Sequence, residues 1–66
     1  MKNRLKVQRA ESNLSQADLA DRIGVSRQTI NSIEAGRYVP STVLALKMAQ
    51  VFGVPVEQVF QLEETD

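Results

Sequence analysis

Apolar side chains recur along this chain at intervals of three and four residues, in blocks closed by Asn13, Gly24, Gly36 and Gly53. Residues at that spacing share one face of an α-helix, so the pattern predicts short helices separated by tight turns. Residues 3 to 12 read as the first, with Leu5 as its core contact and Val7 as a second candidate. Asn13 closes it, because asparagine tolerates the left-handed C-cap nearly as well as glycine. Leu14 then packs inward.

The next stretch, LSQADLADRIGVSRQTINSIEAGR, predicts two helices around one turn. Ser15-Gln16-Ala17-Asp18 sets a hydroxyl three positions before an acid, a capping box that satisfies exposed backbone N–H groups. Leu19, Ala20 and Ile23 line one face, Gly24 ends the helix, and Val25 plugs the turn. Ser26 caps a second helix whose buried stripe is Ile30 and Ile33, and Gly36 ends it. Residues 15–35 thus read as a helix-turn-helix. Two helices cannot hide that stripe alone. Pro40 and Ser41 mark a fourth helix whose core residues are Leu44, Ala45, Met48, Ala49 and Phe52, and Gly53 stops it. Pro55 opens a last short helix, with Val56, Val59 and Phe60 closing the lower side of the core. The expectation is an all-α domain of five helices over residues 1–66, with no repeat or linker.

The second motif helix, residues 26–35, has a distinctive outer face. At about 100° per residue, the side opposite Ile30 and Ile33 carries Gln28, Asn31, Ser32 and Ala35, with Arg27 projecting from the first turn. A merely solvated face tends to alternate Glu and Lys. Amide, hydroxyl and guanidinium groups instead suit base edges in a major groove, and the register with Ser15, Ala20, Gly24 and Val25 favours that reading.

Composition narrows the chemistry further. The 66 residues include no cysteine and no histidine, which excludes zinc fingers, thiol nucleophiles and imidazole bases. Nothing implies an enzyme, a metal or a cofactor. The longest apolar run, Val43 to Leu46, is too short for a membrane span, and no signal-peptide pattern opens the chain, so a cytoplasmic protein is expected. Net charge is zero but unevenly distributed. Residues 1–37 hold seven of the eight Lys and Arg residues and four acids, a net +3; the rest hold one base and four acids, a net −3. Such polarity would orient the molecule on a polyanion, although an acidic tail also aids solubility.

Two arginines call for separate treatment. Glu34 sits at the edge of the buried stripe and needs a cation if desolvated, so Arg9 is assigned to a structural ion pair with it rather than to phosphate. Arg37 falls where the loop after Gly36 would run beside a DNA strand. Lys2, Arg4 and Lys6 are equally well read as phosphate contacts or as a solvated face.

With Leu14-Ser15-Gln16, Ala20, Gly24, Ser26-Arg27-Gln28-Thr29, Ile33-Glu34, Gly36, Pro40 and Gly53 in one order and spacing, the chain resembles the lambda-repressor and Cro proteins, the XRE family. The resemblance runs from about Leu5 to Phe60. It implies a five-helix domain that binds double-stranded operator DNA as a homodimer and represses, or occasionally activates, transcription. The positions of Arg27, Gln28 and Ser32 would face bases, that of Gln16 a phosphate, and that of Arg9 would pair with Glu34. Taken with the helix face, the assignment is Arg27, Gln28, Asn31 and Ser32 to bases, and Gln16, Ser26, Thr29 and Arg37 to phosphates. Ala35 departs from the usual Asn, and Pro55 from a usual polar cap. No sensor segment follows, so no small-molecule ligand is expected. The alternative is an antitoxin-like module on the same fold that chiefly holds a protein; an antitoxin usually needs an added segment to cover its toxin, and the six residues after Phe60 are too few for that. Val39, Val54, Val56 and Leu62 are the apolar residues left for a dimer surface.

Overall fold

A computed structural model describes residues 1–66 and contains four α-helices: α1, Leu5–Glu11; α2, Gln16–Ile23; α3, Arg27–Glu34; and α4, Thr42–Phe52. Their boundaries follow from local chemistry. Ser15 accepts the Asp18 backbone N–H while Asp18 accepts that of Ser15, both at 3.0 Å, completing the capping box of α2. Ser26 and Ser41 cap α3 and α4 in the same way through the N–H groups of Thr29 and Leu44. Between α2 and α3, Gly24 has φ +76°. A Cβ there would meet no atom within 4 Å, so the turn needs glycine for its backbone angle and not for space. Asn13 does the same work after α1 at φ +59°.

The core lies where α2 packs against α3 and α4. Leu5, Leu19, Ala20, Ile23, Ile30, Ile33, Met48, Val59 and Phe60 form it, with Val25, Leu44, Ala45 and Phe52 packed at its margin. The inner face of α1 is turned one residue from the expected one. Val7 is exposed and Gln8 is buried beside Leu5.

The helix expected after Pro55 shortens to one 3₁₀ turn, Val56–Gln58, and the first helix starts two residues later than expected. Both differences have one cause. Lys2–Asn3 (β1) and Phe60–Gln61 (β2) pair antiparallel, Lys2 opposite Gln61 and Asn3 opposite Phe60. The Arg4 N–H also bonds to the Val59 carbonyl at 2.8 Å, which holds the chain extended where a helix would have continued. The architecture is therefore four α-helices, a 3₁₀ turn and a two-stranded ribbon in place of five helices. The Met1 ammonium continues this closure, at 3.0 Å from Asp66 and 3.1 Å from Glu63, so the acidic end folds back on the N-terminus.

Candidate nucleic-acid interface

Burying Ile30 and Ile33 turns the opposite side of α3 outward, and Arg27, Gln28, Asn31 and Ala35 are all exposed there, with Ser32 half-buried. At the C-terminal end, the Gly36 N–H bonds to the Ile33 carbonyl and the Arg37 N–H to the Ser32 carbonyl, both at 3.0 Å. This double closure turns the chain sharply. It carries Arg37 back beside Ser32, so Ser26, Gln28, Thr29, Ser32, Arg37 and Tyr38 surround one open polar hollow. Five of those six are residues assigned to DNA contact from the sequence; Tyr38 is the sixth. Its ring is exposed beside the arginine.

The helix starts add donors. The backbone N–H groups of Gln16, Ala17, Arg27 and Gln28 have no acceptor within the protein. Such groups at a helix N-terminus favour an anion. The Ser26 and Thr29 hydroxyls lie 2.9 Å apart and share one proton, which leaves the other hydroxyl hydrogen available to an outside acceptor.

Behind this surface lies the ion pair. Arg9 Nε donates to Glu34 Oε2 at 2.6 Å and Nη2 to Oε1 at 3.1 Å, and Nη1 donates to the Leu14 carbonyl at 2.9 Å. Glu34 strengthens the hold of Arg9 on its proton, against the opposing effect of burial. The pair ties α1 to the last turn of α3. Asn3 makes a second tie, donating to the Ile33 carbonyl at 2.9 Å while accepting the Leu5 N–H at 3.2 Å. Sequence reasoning left Asn3 inside the first helix. Gln16 stands apart from the hollow, its amide turned to Glu34 and Asn31.

Two capped helices around a left-handed turn, with the second offering uncharged hydrogen-bonding groups between two arginines, define a helix-turn-helix DNA-binding protein. A family model described as Helix-turn-helix matches residues 5–59, and the chain belongs to that family, of the XRE type. An uncharacterized HTH-type transcriptional regulator of Methanocaldococcus jannaschii is 54% identical over 66 residues, the whole of both chains. One of Bacillus subtilis is 50% identical over 64 residues, 97% of each. Among solved structures, the restriction-modification controller protein C.AhdI from Aeromonas hydrophila superposes with a TM-score of 0.79 at 32% identity, covering 86% of each chain. The protein is a DNA-binding transcription regulator and not an enzyme. No helix is long and apolar enough to cross a membrane.

Proposed function

We propose that this regulator reads a specific sequence of duplex DNA with α3 in the major groove, residues 1–66 acting as one DNA-binding domain in the cytoplasm. The observation that carries the reading is the exposed face of α3, where Gln28, Asn31 and Ser32 stand between Arg27 and Arg37. Arg27, Gln28, Asn31 and Ser32 contact base edges, with guanine suiting Arg27 and adenine suiting Gln28. Phosphates are held by the free backbone N–H of Gln16, the Ser26 and Thr29 hydroxyls, and the Arg37 guanidinium. Repression follows where such a site overlaps a promoter.

The same reading includes a homodimer on DNA. Four base-reading side chains give one protomer little specificity over genomic competitors, and a two-fold pair doubles them. The surface that supports pairing is on the outer side of α4, where Val43 and Leu46 are 62% and 52% exposed. They line an open groove with Val54 and Val56, and Lys47 and Glu57 stand in the same groove. Val39 joins that surface through a second hollow shared with Leu46 and Val56. A two-fold contact is self-complementary, so Lys47 of each chain can meet Glu57 of the other. Leu62, expected at this surface, lines neither hollow.

Selection of binding duplexes from a random pool tests the proposal. The selected site should bind at least about 10³-fold tighter than random duplex at physiological salt. Equal binding to every duplex would overturn it.

A further inference from the structure

Gln16 opens α2, yet its side chain reaches α3. Its amide nitrogen lies 3.2 Å from Glu34 Oε1 and 3.4 Å from Asn31 Oδ1. A carboxylate only accepts hydrogen bonds, so the end of the amide turned towards Glu34 is the nitrogen. That nitrogen carries two hydrogens, and the two contacts engage both. The group left to Gln16 for solvent is its oxygen, an acceptor that a phosphate oxygen repels. Asn31 must likewise turn its oxygen towards the Gln16 N–H. Its Nδ2, with two hydrogens and no partner within the protein, is then the end free to meet DNA.

Resting on α3 as the base reader, we propose that Gln16 is a positioning residue for specificity, holding the Asn31 amide in the orientation that offers only donors to the major groove. An asparagine free to turn pairs with adenine through one donor and one acceptor. The held Asn31 cannot. Guanine, whose N7 and O6 both accept, becomes its preferred base, and adenine is reduced to a single contact at N7. The chain of bonds runs from Arg9 through Glu34 and Gln16 to Asn31, so the ion pair behind α3 sets the polarity of a group on its reading face.

The test measures binding of wild type, Gln16→Ala, Asn31→Ala and the double variant to duplexes that vary each base of the selected site. One position should prefer guanine in the wild type and lose that preference in Asn31→Ala. Gln16→Ala should shift the same position several-fold towards adenine, leave the other positions and the unfolding temperature nearly unchanged, and do nothing further in the Asn31→Ala background. The coupling between the two substitutions should be about five-fold or more. Gln16→Met, which keeps the side-chain stem but has no donor, should repeat the shift if Gln16→Ala folds poorly. A uniform loss of affinity for all duplexes in Gln16→Ala, with every base preference intact, would overturn the proposal and return the side chain to a phosphate. So would an unchanged base profile in Asn31→Ala. Gln28→Ala separates the two levels: if it alters base preference while the Gln16 and Asn31 variants do not, α3 still reads bases and only the positioning role fails. If no α3 variant alters any preference, both fall.

Discussion

Arg9 and Glu34, 25 residues apart in sequence, meet at 2.6 Å with 14% and 9% of their side chains exposed. One is on α1 and the other ends α3, so the pair fixes the last turn of α3 against α1. The Arg9 guanidinium is fully engaged within the protein, by Glu34 and the Leu14 carbonyl.

Glu34→Ala should therefore destabilise the fold by about 3–5 kcal/mol, because a nearly buried guanidinium loses its counter-charge and keeps only the Leu14 carbonyl. A surface pair would cost at most about 1 kcal/mol. Denaturant unfolding of Arg9→Ala, Glu34→Ala and the double variant checks this, with strong coupling expected between the two sites.

The capping box makes a pH prediction. The Ser15 backbone N–H, and then its hydroxyl, hold the Asp18 carboxyl below its ordinary value of 3.8. A lowered folded-state value means a stabilising contribution that is present above the unfolded value and lost as pH falls through the folded one. Asp66 is lowered too, first by the Glu63 N–H and then by the Met1 ammonium, and adds to the same acid limb. Stability should fall below about pH 4, and Asp18→Asn should make that fall shallower without abolishing it. Ser15→Ala should cost about 1 kcal/mol near neutrality. Thermal unfolding across pH measures both.

Caps and stops were legible in the sequence because each depends on chemistry within four residues. Ser15, Ser26 and Ser41 accept their own helix N–H groups, and Asn13, Gly24, Gly36 and Gly53 hold the left-handed angles. The outward face of α3 followed from Ile30 and Ile33 by helical period alone. The β1–β2 ribbon was not legible. Each strand has two residues and pairs with the opposite end of the chain, so it leaves no local period. That pairing also cut the last helix to a single turn. The bond from Gln16 to Asn31 was hidden for a similar reason: it depends on the distance between two helices, which spacing along one chain does not fix.

Arg37→Ala should weaken binding to all duplexes alike and make the salt dependence shallower by about one unit, since one phosphate-neutralising cation is gone. Titrations at several salt concentrations give the slope. An unchanged slope would place Arg37 in solvent when DNA is bound.

Leu46→Glu should leave folding intact, because the side chain is half exposed, but should abolish two-protomer binding by setting an unpaired charge among Val43, Val54 and Val56 in the groove. Sedimentation with a duplex whose palindromic half-sites lie about 34–36 Å apart, one helical turn, should show two wild-type protomers bound. A single protomer at saturation would remove the dimer.

The central claim, that α3 reads bases, is tested most directly by titrating wild type and Gln28→Ala against the selected site and a scrambled duplex of the same length. Base contacts specify and phosphate contacts position, so Gln28→Ala should lose about 1–3 kcal/mol on the site and almost nothing on the scrambled duplex. Equal losses on both duplexes, or no loss on either, would contradict it.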